Sequence, residues 1–162
     1  MSGIELRRAV PEDTVALAHL HLDVWDDAYT GLIDQRILDE RRTRVDERIR
    51  AWAEITAQET PPMVAHDEHG TPVGFAKAGP ARDNDVDIEL ELWSLYVRRA
   101  YWGTGLGYVL FESEVGDRAA YLWVLAANAR AIGFYERQGF RLDGTEDEHD
   151  EGVHVRMLRA GT

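Results

Sequence analysis

The pattern of apolar and polar positions along the chain changes period more than once, and each change predicts a new kind of element. Apolar residues recur at helical spacing in the first third of the chain, and Pro61 and Pro62 end that region. Alternation typical of strands then takes over. The predicted elements are strand 4–7, helices 11–25 and 34–58, strands 63–66, 73–78 and 86–97, helix 108–115, strand 121–125, helix 129–138, and strands 140–144 and 153–158. This order predicts one mixed α/β (α+β) domain over residues 1–162, with about four helices packed against a sheet.

The strand predicted at 86–97 contains a change of phase. Its apolar residues occupy even positions up to Leu92 and odd positions from Trp93 onward. Because side chains alternate between the two faces of a strand, this slip requires an extra residue, a β-bulge near Leu92 and Trp93. Bulges are frequent beside active sites, since they separate neighbouring strands and change the direction of side chains.

Composition and charge exclude several kinds of function. The chain has 30 Asp and Glu against 18 Lys and Arg, a formal net charge of −12, which argues against a nucleic-acid partner. It has no cysteine, so disulfides, thiolate metal sites and a cysteine nucleophile are excluded, and its six histidines show no metal-ligand spacing. No apolar run approaches the roughly 20 residues of a membrane span, and residues 1–10 show no signal peptide. We therefore expect a cytoplasmic protein with no metal and no membrane partner.

A glycine-rich segment follows the bulged strand. Gly103, Gly105 and Gly107 alternate between an apolar strand and an apolar helix. Glycine lets the backbone approach a ligand closely, and a helix N-terminus offers free N–H groups, so the segment can hold a pyrophosphate. No Gly-Lys-Ser/Thr sequence follows, which excludes a P-loop, and a dinucleotide fingerprint would need glycine where Tyr108 stands. On the residues alone, a tight structural turn is the alternative.

Two segments together resemble the GNAT superfamily of N-acetyltransferases. Residues 95–107, LYVRRAYWGTGLG, resemble its acyl-CoA-binding motif, and residues 128–140, NARAIGFYERQGF, resemble its second signature. The resemblance implies a GNAT fold, with a mostly antiparallel central sheet that is splayed at the bulge. Trp102 departs from the family pattern, which usually has Arg or Gln at this position.

The resemblance also implies a binding site for acetyl-CoA. The glycine segment would hold the pyrophosphate, the edge of the bulged strand would pair with the pantetheine arm, and Asn128 would hydrogen-bond that arm. The cofactor-binding residues predicted in this way are Leu95, Tyr96, Val97, Trp102, Gly103, Thr104, Gly105, Leu106, Gly107, Tyr108 and Asn128. Asn128 is also a good helix cap, and that role alone is the alternative.

Acetyl transfer to an amine requires a base for the ammonium and benefits from an acid for the departing thiolate. Tyr135 matches the position of the acid in the family, and a place in the core is its alternative. Glu91 and Glu89 alternate with apolar residues just before the bulge and are predicted as bases, with Glu91 first; two solvated acids are the alternative. Direct attack is predicted, because no cysteine is present to carry an acyl intermediate.

The acceptor side is predicted at the end of the first helix. Trp25, Asp26 and Tyr29 combine aromatic and acidic groups, which suits an amine with an apolar stem and a cationic head. An aromatic pair that seals the helices onto the sheet is an equal alternative. The predicted function is transfer of an acetyl group from acetyl-CoA to a primary amine of a small molecule or peptide, in a monomer or a homodimer. The alternatives are a CoA-binding module without turnover and a nucleotide-binding oxidoreductase.

Overall fold

A seven-stranded sheet with the order β1-β2-β3-β4-β5-β7-β6 forms the centre of the computed structural model, which describes residues 3–162. The elements of this part are β1 (Glu5–Arg8), α1 (Thr14–Tyr29), α2 (Gln35–Thr43), α3 (Val45–Thr56), β2 (Met63–His66), β3 (Pro72–Pro80), β4 (Leu90–Val97), α4 (Leu106–Glu114), β5 (Ala120–Leu125), α5 (Ala129–Arg137), β6 (Arg141–His149) and β7 (Gly152–Arg159), with short 3-10 helices at Pro11–Asp13 and Arg99–Tyr101. Neighbouring strands are antiparallel except β4 and β5. The predicted mixed α/β fold with a mostly antiparallel sheet is confirmed.

The parallel pair in the middle of the sheet is very short. β4 and β5 pair only at Glu91 with Tyr121 and at Leu92 with Leu122. Beyond these positions β4 continues beside β3 as far as Val97, while β5 diverges from β4 and stays paired with β7. The second half of β4 is therefore left without a strand neighbour on one side, and the sheet opens there.

A β-bulge lies at the start of this opening. Lys77 of β3 faces Ser94 of β4, but the next residue, Ala78, faces Leu92, so that Trp93 is the extra residue. The bulge predicted near Leu92 and Trp93 is therefore confirmed. It lies next to the last pair between β4 and β5, which is where the two strands diverge.

Helices cover both faces of the sheet. α1 and α3 pack on the face that carries Val64 and Phe75, whereas α4 packs on the face that carries Ala65 and Ala76. Consecutive residues of a strand point to opposite faces, so these two clusters form separate hydrophobic layers. α5 extends the second layer over β5, where Phe111 packs in a third cluster.

Three details differ from the sequence-based prediction. The helix predicted at 34–58 is two helices, because Arg44 leaves the helical region with φ −114° and ψ 40°, and the structure therefore has five α-helices in its described part rather than about four. The strand predicted from residue 86 begins only at Leu90. The segment 145–152, predicted as a loop, is mostly part of β6, whose residues are nearly all exposed and so show no apolar alternation.

None of the helices among residues 3–162 is both long enough and apolar enough to span a lipid bilayer.

Candidate active site

A cavity of about 530 Å³ lies where β4 and β5 diverge. Its walls come from the second half of β4, from β5, from the turn before α4 and from α5. The predicted site residues that line it are Tyr29, Leu95, Tyr96, Val97, Trp102, Gly103, Gly105, Gly107, Tyr108, Asn128 and Tyr135. Thr104, which is exposed, does not line the cavity. Leu106 does not line it either, because it is fully buried in the layer beneath α4. The structure thus brings most of the predicted cofactor residues together around one opening.

The glycine segment has a backbone that other residues rarely adopt. Gly103 and Gly105 have φ values of 76° and 92°, and Gly105 is the N-cap of α4. Apart from the glycine and its two chain neighbours, no atom in the described part of the chain would lie within 4 Å of a Cβ added at either position. The backbone therefore borders open space at the point where the first N–H groups of α4 lack helical partners. Such a helix start can accept an anionic group.

Trp102, the residue that departs from the family pattern, ties the glycine segment to its surroundings. Its indole Nε1 donates to the carbonyl oxygen of Val97 at 3.0 Å. The guanidinium carbon of Arg130 lies 3.7 Å from the centroid of the indole ring, and that of Arg99 lies 5.0 Å from it. Arg130 also lines the cavity, and burial lowers its pKa while leaving it a cation at neutral pH. Trp102 therefore fixes a positive charge beside the glycine segment without supplying one itself.

Tyr135 and Asn128 line the cavity from α5 and its cap. Tyr135 is 8% exposed and packs edge-on against Phe134 and Phe140. Burial raises the pKa of Tyr135 above its usual value, so the phenol keeps its proton at neutral pH. The side chain of Asn128 accepts a hydrogen bond from the backbone N of Ala131 at 3.2 Å. Asn128 therefore caps the helix and faces the cavity at the same time.

The two glutamates predicted as bases lie elsewhere. Glu91 is 1% exposed, and its carboxylate accepts hydrogen bonds from Arg82 Nε at 3.0 Å and Nη2 at 2.8 Å, and from the Tyr121 hydroxyl at 3.1 Å. Glu89 is exposed at the bend before β4. Neither residue lines the cavity that contains Tyr135. Their role as bases stays a prediction, and the geometry gives Glu91 an ion pair instead.

That ion pair belongs to a network that holds the segment between β3 and β4. The Asp83 carboxylate accepts from the Tyr121 hydroxyl at 2.9 Å and from Trp123 Nε1 at 3.0 Å. The backbone N of Arg82 also donates to the Tyr121 hydroxyl at 3.1 Å, so Arg82 and Asp83 both attach this segment to β5. Since Trp123 lines the cavity, the network fixes one wall of the opening.

Of the three residues predicted on the acceptor side, only Tyr29 lines the cavity. Its hydroxyl lies 2.9 Å from the hydroxyl of Tyr96, and its ring centroid lies 4.9 Å from that of Trp25. The Asp26 carboxylate forms an ion pair with Arg42, whose Nε lies 2.9 Å from it. The aromatic part of the prediction therefore adjoins the site, while the acid is neutralised outside it.

Sequence reasoning did not predict four titratable residues that line the cavity: His154 on β7, and Tyr101, Arg130 and Arg137. His154 is the one that can act as a base. Its side chain is 18% exposed, and its Nε2 lies 3.6 Å from Oε1 of Glu151. Burial lowers the pKa of His154 below its usual 6.5, so the imidazole is neutral at pH 7. The search for metal-ligand spacing could not detect it. The sequence does place His154 between Val153 and Val155 in a predicted strand. It does not show which strand lies beside β7, because strand pairing depends on contacts between distant segments.

No three or more His, Asp or Glu side chains among residues 3–162 are grouped in a way that could hold a metal ion.

Comparison with known proteins identifies the family. The profile of the acetyltransferase (GNAT) family matches residues 25–140, and the chain belongs to this family. "Probable N-acetyltransferase Rv2775" of Mycobacterium tuberculosis is 27% identical over 151 residues, which cover 88% of this chain and 83% of that protein. "Uncharacterized N-acetyltransferase YuaI" of Bacillus subtilis is 26% identical over 164 residues, which cover 98% and 91%.

Solved structures agree with this assignment at the level of the fold. The crystal structure of the PaiA N-acetyltransferase from Thermoplasma acidophilum in complex with coenzyme A matches with a TM-score of 0.62 and 18% identity, over 100% of both chains. The GNAT fold and the acetyltransferase family predicted from residues 95–107 and 128–140 are therefore confirmed.

Proposed function

We propose that this protein transfers an acetyl group from acetyl-CoA to a primary amine of a small molecule or peptide, by direct attack of the amine on the thioester. One observation carries the proposal: a single cavity joins the glycine segment, the unpaired part of β4 and Tyr135. Acetyl-CoA supplies the activated acetyl group. The T. acidophilum protein, which shares the fold, is in complex with coenzyme A, and this supports the choice of donor.

The residues around the glycine segment fit a phosphorylated carrier. N–H groups at the start of α4 that lack helical partners would hold its pyrophosphate, because Gly103 and Gly105 leave that space open. Arg130, stacked on Trp102, would add a cation. The unpaired part of β4 would pair with the amides of the pantetheine arm, as an exposed strand edge pairs with a peptide. The Val97 carbonyl already accepts from Trp102, so this pairing would involve residues before it.

Two residues of the same cavity can carry the proton transfers. His154, neutral at pH 7, would take the proton that the ammonium must lose before its lone pair attacks the thioester carbon. As the C–N bond forms and the C–S bond breaks, Tyr135 would give its phenolic proton to the departing thiolate, and the second proton that the acylated nitrogen must lose would restore the phenol of Tyr135. We prefer His154 to Glu91 as the base, because Glu91 is ion-paired with Arg82 and does not line the cavity.

A free-thiol assay with acetyl-CoA and a panel of primary amines tests the proposal. The expected result is release of CoA thiol that requires both an amine and the protein, with the N-acetylated amine detected by mass spectrometry. The variant Tyr135→Phe is the matched control, because it should bind CoA normally and release thiol slowly. Stabilisation by CoA with no amine-dependent thiol release would indicate a binding module, and tighter binding of NAD than of CoA would favour an oxidoreductase.

A further inference from the structure

Two tryptophans, Trp93 of β4 and Trp123 of β5, line the active-site cavity from the two strands that diverge. Trp123 follows Leu122, which packs in the layer beneath α5. Because side chains alternate along a strand, Trp123 points to the opposite face of the sheet, on which α1 packs. The ring of Trp93 lies where a side chain at Gly79 would project, and Gly79 is four residues from Phe75, which packs with α1. Both tryptophans therefore lie on the α1 face.

A glycine in the interior of β3 makes room for Trp93. A Cβ at Gly79 would lie 2.5 Å from Cζ2 of the Trp93 ring, which is too close for two carbon atoms. Gly79 does not have a positive φ, so this position requires glycine for space and not for its backbone conformation. Trp93 is also the extra residue of the bulge, and bulges change the direction of side chains. The bulge and Gly79 together fix the ring of Trp93 against β3 at the cavity wall.

The polar group of each indole is already bonded within the protein. Trp93 Nε1 donates to the carbonyl oxygen of Pro80 at 3.2 Å. Trp123 Nε1 donates to the carboxylate of Asp83 at 3.0 Å. The indole N–H is the only hydrogen-bonding group of a tryptophan side chain. Both rings therefore offer a ligand only their carbon surface.

Each indole also has a guanidinium over its ring. The guanidinium carbon of Arg82 lies 4.9 Å from the centroid of the Trp93 ring, and that of Arg156 lies 5.4 Å from the centroid of the Trp123 ring. A second cation near these rings would be repelled by the guanidinium and would gain less from a ring that already attracts one. The two rings therefore suit an uncharged group better than an ammonium.

The rest of the cavity wall on the α1 face carries no fixed charge. Within the described part of the chain, the cavity-lining side chains that are charged at neutral pH are Arg130 and Arg137, and both belong to α5 on the other face. No Asp or Glu among residues 3–162 lines the cavity, although the chain has 30 of them. The α1 face thus presents aromatic surface to an acceptor, and no partner for a second charge.

Trp123 lies next to the proposed base. Leu125 faces His154 in the β5–β7 pair, and Trp123 is two residues before Leu125. Trp123 and His154 are therefore diagonal neighbours on one face, a relation in which the backbones lie about 7–8 Å apart. Tyr135, the proposed acid, packs in the layer on the other face. An amine that enters from the α1 face would therefore meet His154 while its stem lies beside the indole rings.

From this arrangement we propose that Trp93 and Trp123 bind the stem of the acceptor, and that the acceptor is a primary monoamine with an aromatic ring on a short alkyl link. This inference rests on the acetyltransferase function proposed above. Aromatic rings pair favourably with indole in offset or edge-on arrangements. A polyamine, an amino acid or an aminoglycoside would instead place charged or hydroxyl groups against carbon surface, where they lose their hydration without compensation.

Binding of reaction products tests the inference without turnover. N-acetyl-2-phenylethylamine and its indolyl analogue are titrated into the CoA-saturated protein by calorimetry, beside N-acetyl-2-cyclohexylethylamine and N-acetylputrescine. The cyclohexyl product matches the phenyl product in shape but has no aromatic ring. The wild type should bind at least one aromatic product about 2- to 10-fold more tightly than the cyclohexyl product, the effect of an aromatic pair beyond its buried area. N-acetylputrescine, which carries an ammonium on its stem, should bind most weakly.

Variants of the two tryptophan positions test the same point. Trp123→Leu keeps an apolar side chain without a ring and should abolish the preference for the aromatic product, whereas Trp123→Phe should retain it. Gly79→Ala displaces the ring of Trp93 without changing that residue and should weaken the preference. The affinity for CoA, measured in each variant, reports whether the fold is kept. Leu142→Ala is the matched control, because Leu142 is exposed on β6 outside the cavity; it should change binding by less than about twofold.

Three results overturn the inference: binding of the cyclohexyl product or N-acetylputrescine as tightly as the aromatic products by the wild type, no binding of any aromatic product, and a preference that survives in Trp123→Leu. Failure of the proposed function is a separate result. A protein that prefers the aromatic products but releases no thiol with any amine would keep the aromatic site and lose the reaction.

Discussion

Replacement of His154 by glutamine is the most direct test of the proposed proton transfers. Glutamine keeps a polar side chain at this position of β7 but cannot take a proton from an ammonium group. General-base catalysis contributes about 10²- to 10⁴-fold to a rate, so we expect kcat/KM for the amine to fall within that range. The affinity for CoA should stay the same, because the glycine segment is untouched. The measurements are steady-state thiol release at saturating acetyl-CoA and calorimetric titration with CoA.

The dependence of kcat/KM on pH gives a second readout. Burial holds the pKa of His154 below 6.5, so the wild type should lose activity through protonation of this residue only below that pH. The Glu151 carboxylate raises the pKa of His154, and Glu151→Gln should therefore move the acid limb of the profile to lower pH. In His154→Gln the limb due to this residue should be absent.

His149→Gln is the matched control on the same hairpin. The ring centroids of His149 and His154 are 4.7 Å apart, but the His149 side chain is 49% exposed and does not line the cavity. This variant should keep kcat/KM within roughly twofold of the wild type, as surface substitutions usually do. An unchanged rate and an unchanged acid limb in His154→Gln would refute the reasoning and return the base to Glu91 or to water.

Three further predictions concern the donor site, the acid and the ion pair. Gly105→Val should abolish CoA binding in titrations, because the valine side chain would fill the space beside the first N–H groups of α4. Gly144→Val is the control: Gly144 has a similar left-handed φ of 87°, so this variant should carry the same backbone strain of about 1–2 kcal/mol and keep its affinity for CoA. Tyr135→Phe should reduce kcat by about 10²- to 10⁴-fold with an unchanged affinity for CoA, and an unaffected kcat would remove Tyr135 from the mechanism. Glu91→Gln should lower the free energy of unfolding in urea by about 1–3 kcal/mol, since it leaves Arg82 without its carboxylate; lost activity at unchanged stability would instead support Glu91 as the base.

The parts of the site that were predictable from the sequence are those with a local physical cause. A one-residue slip in an alternating strand has few explanations, so the bulge at Trp93 could be located before the structure. The turn at Gly103 and Gly105 has positive φ values, and glycine, the residue that adopts them most readily, indicated a turn there in the sequence. The cap formed by Asn128 follows from residue type and position alone.

The residues that escaped prediction depend on contacts between distant segments. His154 faces the cavity only because β7 pairs with β5, which brings it opposite Leu125. Glu91 has the expected place beside the bulge, but the segment before β4 folds back and presents Arg82 to it.

The two-residue junction between β4 and β5 divides the sheet into two sub-sheets, of four and three strands, that share almost no backbone hydrogen bonds. An acetyl-CoA molecule bound in the cleft would contact both sub-sheets and so link them at the junction where few backbone hydrogen bonds connect them. Saturation with CoA should therefore slow amide hydrogen exchange along the facing edges of both sub-sheets, and not only at the glycine segment that we propose binds its pyrophosphate.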